Sequence, residues 1–180
     1  EVYTPSDYGP AAMDLLWGVS EPIGGCLYGL EALGAMRIDK GDVTGAELDG
    51  RVPIEDAGLG RMASSKKSYI GSALRKRPEL VREDSPRLVG IFPINRHETF
   101  NAGAILCAAN AVQGFGDGWV SGVTHSPELG HWIGLGFIAG GLEAWQGRSV
   151  VAADPVRKSD VAVEIVSPHM VDPDGERLYG

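Results

Sequence analysis

Four histidines, two cysteines and a run of basic residues are the groups in this 180-residue sequence whose types could do chemistry. His97, His125, His131 and His169 all lie in the second half of the chain. An imidazole titrates near neutral pH and serves as a general base once a partner orients it. None of the four has a partner at a recognisable spacing, so a satisfied or surface histidine is expected at each. Cys26 and Cys107 are far apart and lack metal-type spacing. That argues against a zinc site or a disulfide framework, and for two reduced, mostly buried thiols in a cytoplasmic protein. There is no G-x-S-x-G elbow, no H-E-x-x-H, no P-loop and no G-x-G-x-x-G after a strand. Gly114-Phe115-Gly116-Asp117-Gly118 is glycine-rich, but no phosphate-binding helix follows it. It reads as a hairpin turn.

Arg61, Lys66, Lys67, Arg75, Lys76, Arg77 and Arg82 form a basic group in a chain of formal net charge −8 and pI near 4.9. The overall acidity repels phosphate backbones and excludes general nucleic-acid binding. The basic group reads first as a solvated helix face. Reception of an anionic ligand, or docking of another subunit, stands as the alternative. No apolar run reaches the roughly 20 residues that span a bilayer, and no basic-then-apolar leader is present, so no membrane partner is expected.

Elements must hold these groups. The apolar content of 43% suits a globular chain with a proper core, and 26 glycines without a repeat period point to many tight turns. Ser6 and Asp7 are candidate helix caps ahead of Pro10, and Met13, Leu16 and Trp17 recur at helical spacing as core residues until Gly18. Met36 and Ile38 alternate with Arg37 and Asp39, which predicts a strand with Arg37 and Asp39 on one face. Ser72–Arg77 predicts a short basic helix closed by Pro78. After Pro86 the character changes. Residues 87–93, 119–124, 132–138, 149–153 and 160–166 read as short strands between Gly/Pro/Asp turns, a small antiparallel barrel or sandwich. The predicted class is α+β, with a boundary between 1–85 and 86–180. Glu1-Val2-Tyr3-Thr4-Pro5 reads as the inside of a strand running into a turn, and hence as a piece cut from a longer polypeptide.

Several blocks, in order, carry a resemblance. They are Tyr28 to Gly41 (YGLEALGAMRIDKG), Asp56 to Gly60 (DAGLG), Lys67 to Gly71 (KSYIG), Ser126 to Gly136 (SPELGHWIGLG) and Val171 to Leu178 (VDPDGERL). They are similar to the corresponding runs in α subunits of heterotetrameric sarcosine oxidase. The wider aminomethyltransferase (glycine-cleavage T-protein) family shares looser versions. The resemblance implies an incomplete T-protein-like folate-binding α+β domain at 1–85, followed by the family's C-terminal β-barrel at 86–180. It implies a parent that oxidatively demethylates sarcosine to glycine, with tetrahydrofolate taking the one-carbon unit as 5,10-methylenetetrahydrofolate. Flavin and NAD would be bound elsewhere in the complex, and the partners would be the other oxidase subunits.

Two family positions carry over. Glu1 matches the carboxylate that accepts the pterin's paired N–H donors, a fork one carboxylate can satisfy; a frayed terminal residue is the alternative. Arg37 matches an arginine that faces folate, with a salt bridge to Asp39 or Glu31 as the alternative. Where T-proteins carry a second arginine one helical turn earlier, this chain has Leu33. The family's catalytic aspartate falls upstream of Glu1, so no catalytic residue is assigned to this chain. A stand-alone aminomethyltransferase and a non-catalytic interaction domain are the competing readings.

Overall fold

The computed structural model describes residues 2–108 and 115–179. In chain order it holds α1 (Gly9–Ser20), α2 (Leu30–Lys40), a long irregular stretch with short 3₁₀ turns, β1 (Pro86–Pro93) and β2 (Ile105–Ala108). Then follow β3 (Gly118–Ser126), β4 (His131–Ala139), α3 (Gly141–Trp145), β5 (Val150–Asp154), β6 (Ser159–Val166) and one helical turn, α4 (Glu176–Tyr179). Among the described residues no helix is long and apolar enough to cross a membrane. The chain divides into two compact units, 1–33 and 34–180, with the division inside α2.

In the first unit, Pro10 sits in the first turn of α1, where its missing N–H is no loss. Ser6 and Asp7 do not cap the helix. They form a 3₁₀ turn, and Tyr8 takes the N-cap position without a side-chain hydrogen bond. Gly18 does not end the helix either; the following 3₁₀ turn stops at Gly24, whose φ of +85° suits glycine. Met13 and Leu16, expected in the core, are 46% and 50% exposed. A unit of this size has no second layer to cover that face. Residues 2–5 form no strand, and Cys26 is exposed, whereas Cys107 is buried as expected.

In the second unit the six strands close into a barrel in the order β1-β4-β3-β2-β5-β6, every neighbouring pair antiparallel. Closure leaves no free edge. The fold class is thus α+β with a closed antiparallel barrel. Strands β1, β3, β4, β5 and β6 fall within two residues of their sequence-predicted positions, whereas β2 and α3 went unrecognised. Of the glycine run expected as a hairpin turn, Gly114 lies outside the described residues. Gly116 (φ +66°) precedes β3, which does pair with β2.

Alternation sorts the strand side chains onto two sides. Val89, Ile91, Leu106, Val120, Ile138, Val150, Val163 and Ile165 fill the barrel interior with Phe100 and Trp145. Leu88, Ile133, Leu135 and Phe137 form a second cluster with Ile38 of α2. On β4 the positions between the large residues are Gly134 and Gly136. A Cβ there would meet Phe100 Cε2 at 2.9 Å and Ile91 Cδ1 at 2.8 Å. Glycine on the inner face makes room for those two side chains, while Ile133, Leu135 and Phe137 pack outward.

Two local predictions are corrected. Residues 35–40 belong to helix α2, not to a strand. Two apolar positions are too few to distinguish period 2 from period 3.6. At about 100° per residue, Arg37 and Asp39 point roughly 200° apart and share no face. The basic segment 72–77 is no α-helix: Gly71 has φ +89°, and only a 3₁₀ turn, Leu74–Lys76, follows.

Two glycine substitutions should move stability in opposite directions. At Gly118 a Cβ would overlap the Phe137 carbonyl and lie 2.8 Å from Ile138 Cα, backbone that cannot yield. Gly118→Ala should therefore lower the urea midpoint by an amount equivalent to about 1–3 kcal/mol. Gly34, mid-helix in α2, has nothing within 4 Å of that position. Gly34→Ala should raise stability by up to ~1 kcal/mol.

Candidate functional site

Arg37 lies near the C-terminal end of α2, and its Nη1 donates to the Asp42 carbonyl and to Glu47 Oε2, each at 3.2 Å. Glu47 is fully buried. Its Oε2 also accepts the Thr44 N–H at 2.9 Å and the Thr44 hydroxyl at 3.3 Å, the backward reach of a capping-box glutamate. Its Oε1 accepts the Ser121 hydroxyl at 2.7 Å. That last contact depends on a defect in the barrel. The β3–β4 register steps from Val120↔Gly136 to Gly122↔Leu135, so Ser121 is the extra residue of a β-bulge. A bulge re-aims a side chain, and this one turns a hydroxyl to the carboxylate. The next residue is Gly122, where a Cβ would meet Arg37 Nη2 at 3.2 Å and Ile38 Cδ1 at 3.3 Å. Glycine at that position lets α2 approach the strand.

The end of α2 is held from another direction by residues 168–172. The Asp39 carbonyl accepts the N–H groups of Met170 (3.2 Å) and Val171 (2.9 Å). Lys40 Nζ donates to the Asp172 carbonyl and, at 3.1 Å, to Asp172 Oδ2. His169 Nδ1 lies 3.0 Å from the Lys40 carbonyl. Gly41, at φ +79°, runs so close to Pro168 that a Cβ would fall 2.9 Å from His169 Nδ1. Helix, turn and strap thus fix the backbone that carries Arg37.

Of the two sequence-predicted site residues, Glu1 lies outside the described residues. Arg37 does form an ion pair, but with Glu47, ten residues on, and not with Asp39 or Glu31. Among the described residues its Nε and Nη2 donate to no protein acceptor. The spacing Thr44-x-x-Glu47 was the one available signal for this network. It marks a glutamate that reaches back to Thr44 but is silent on Arg37 and Ser121. The histidines do not converge: His97 is exposed, His125 packs against Trp132, His131 against Phe92, and His169 serves the strap.

A second buried carboxylate, Asp56, lines a separate concavity of about 490 Å³ with Arg75, Arg82, Ser85 and Arg87. Its Oδ2 is buried without a hydrogen-bond partner. Burial pushes the Asp56 carboxyl above the usual range, against the opposing pull of the Ser85 hydroxyl and the Arg87 guanidinium.

Removing the charge of Glu47 should be costly because Arg37 would keep an uncompensated, largely buried charge. Glu47→Gln is expected to cost about 2–3 kcal/mol in chemical denaturation, somewhat less than a fully buried pair because Arg37 retains some solvent contact. Adding Arg37→Met should recover part of that loss, a coupling a double-mutant cycle would read. Asp56 has the opposite pH signature from a paired carboxylate. The folded state holds its proton to higher pH than the unfolded chain, so stability falls as pH rises from the ordinary carboxylate value, about 4, toward the raised one. Asp56→Asn should flatten the denaturation midpoint across that window, and an unchanged slope would refute the assignment.

No protein-family model matches the chain. It is 30% identical to the sarcosine oxidase subunit α of Rhizobium meliloti over 99% of its own length and 18% of the relative's. The sarcosine oxidase subunit α of Corynebacterium sp. (strain U-96) is 30% identical over 100% of this chain and 19% of that protein. The chain thus spans under a fifth of the length of these relatives. Among solved structures, the glycine cleavage system aminomethyltransferase T from Bartonella henselae superposes with a TM-score of 0.71 at 23% identity. That likeness covers 94% of this chain and 45% of the other, and it concerns the fold. The chain is a T-protein-like homologue of the sarcosine oxidase α subunits, aligned to them along its whole length.

Proposed function

We propose that this chain is the C-terminal part of a sarcosine-oxidase-type α subunit and supplies part of a tetrahydrofolate site. The alignment with α subunits along the whole chain carries this reading. On it, residues 1–85 end the folate-binding domain and residues 86–180 are the aminomethyltransferase-type barrel. The parent oxidatively demethylates sarcosine to glycine in the cytoplasm, with flavin and NAD held elsewhere in the complex and the other oxidase subunits as partners. Tetrahydrofolate, when bound, supplies the nitrogen nucleophiles that take up the one-carbon unit. This chain's residues bind and orient it. Glu1 accepts the pterin's paired donors, and Arg37 presents its Nε–H and Nη2–H groups, which have no acceptor among the described residues, to the ligand while Nη1 stays anchored to Glu47. The likeness to an aminomethyltransferase fold favours, as a second reading, a stand-alone transferase without flavin partners.

Calorimetry on the longer parent tests both the ligand and the site. Tetrahydrofolate should bind, and Glu1→Ala should weaken it by about 2 kcal/mol, the loss of a charged hydrogen-bond partner. Unchanged affinity would remove Glu1 from the site, and no binding at all would leave a non-catalytic interaction domain. The reading frame upstream decides between the readings: a dinucleotide fingerprint within hundreds of further residues fits the oxidase, and a short folate half-module fits the transferase.

A further inference from the structure

The unit 1–33 leaves large apolar side chains uncovered: Leu15, Val19, Ile23, Leu27, Tyr28 and Leu30 are each between 62% and 87% exposed. In α1 the apolar residues from Ala11 to Val19 are interrupted only by Asp14 and Gly18. At about 100° per residue they cover most of the circumference, the pattern of a helix that other chain surrounds. At about 60–120 Å² for a whole aliphatic side chain, the exposed part of this surface comes to roughly 500 Å². That approaches the ~800 Å² each partner contributes to a stable interface. The same unit carries Glu1, Asp7, Asp14, Glu21 and Glu31 and not one Lys or Arg. Residues 57–78 have the reverse composition. Arg61, Lys66, Lys67, Arg75, Lys76 and Arg77 occur there with no Asp or Glu, and Met62, Ile70 and Leu74 are exposed among them. Arg75 pairs with Glu55, whereas the other five cations pair with no carboxylate among the described residues. An acidic apolar surface and a basic apolar surface thus both stand open on one chain, and a second copy offers the complement of each.

We propose that the chain pairs with a second copy of itself by reciprocal exchange, residues 2–33 of each copy packing on residues 57–78 of the other. Apolar side chains of the acidic unit cover Met62, Ile70 and Leu74, and its carboxylates face the lysines and arginines around them. Burial supplies the attraction, and charge selects the pairing. Contact of one acidic unit with another would instead set like charges together. Exchange in both directions closes a two-fold dimer and leaves neither surface open. The inference stands apart from the folate reading, since it needs neither Glu1 nor Arg37. Sedimentation equilibrium of the chain at up to ~0.1 mM should show a dimer. It should weaken as salt is raised from about 0.05 M to 0.5 M. Leu15→Glu with Ile23→Glu, at exposed positions outside the barrel, should leave a monomer. Lys67→Glu with Lys76→Glu should weaken dimerisation by on the order of tenfold or more, and adding Asp14→Lys with Glu21→Lys should restore it. Carbodiimide, which joins carboxylates to lysine amines, should link residues 2–33 to 57–78 in peptides of mixed isotope when labelled and unlabelled chains are combined. A monomer at every concentration would overturn the proposal and give the acidic surface to another chain. A dimer that survives both pairs of reversals, or links of a single isotope only, would overturn it as well.

Discussion

The buried carboxylate of Glu47 is the constraint on which the helix-to-barrel geometry depends. Taking a carboxylate out of water costs several kcal/mol, and only close, well-aligned donors offset it. Here the donors come from separate parts of the chain: Arg37 from α2, Thr44 from the turn after it, and Ser121 from a bulge in β3. None of these pieces satisfies Glu47 alone. The carboxylate therefore penalises every arrangement in which α2 and the barrel are out of register. Ile38, beside Arg37, adds a non-directional counterpart by packing with Leu88, Ile133, Leu135 and Phe137. Hydrophobic burial supplies the attraction, and the polar network selects one docking among the many that burial permits.

The barrel was largely legible in the sequence because its strands alternate cleanly and are bounded by turn residues. On β6, Val161, Val163 and Ile165 are buried with more open residues between them, and Ile133–Phe137 encodes its two faces as glycine against large apolar residues. The strand β2 was not legible. Ile-Leu-Cys-Ala is a short apolar run without alternation, and such a run does not distinguish a buried strand from a helix. α2 failed for the converse reason. Its four-residue stretch Met36–Asp39 alternates by accident of composition, and only the longer window from Leu30 restores the helical period. In the basic segment, the single residue Gly71 overrode the helix propensity of its neighbours by taking a positive φ.

Site residues were legible to the extent that their chemistry is local. Thr44 and Glu47 are three apart, and that spacing alone implies the hydrogen bond between them. Ser121 is 74 positions from Glu47. Its role comes from a bulge, a property of strand register that no spacing in one strand announces. The resemblance singles out Arg37, whose ion-pair partner Glu47 lies beyond the nearby acids of its own segment. Asp39 is buried on another side of the helix, with its carbonyl bonded to the strap, and cannot turn to meet Arg37. Sequence proximity misled because the helix separates i and i+2 more sharply than a folded turn separates residues ten apart.

The two cations at the end of α2 show why one is arginine and the other lysine. Lys40 has a single ammonium group, and its contacts to Asp172 bind it to the strap. Arg37 carries five N–H donors in a planar fork. Nη1 holds the protein through Asp42 and Glu47, which fixes the plane of the group, and among the described residues Nε and Nη2 have no protein acceptor. A lysine at 37 would offer the same two acceptors a freely rotating ammonium, with no planar group for them to orient. Guanidinium geometry thus lets one nitrogen join the turn after α2 to the buried carboxylate while the rest of the fork is held in a fixed plane.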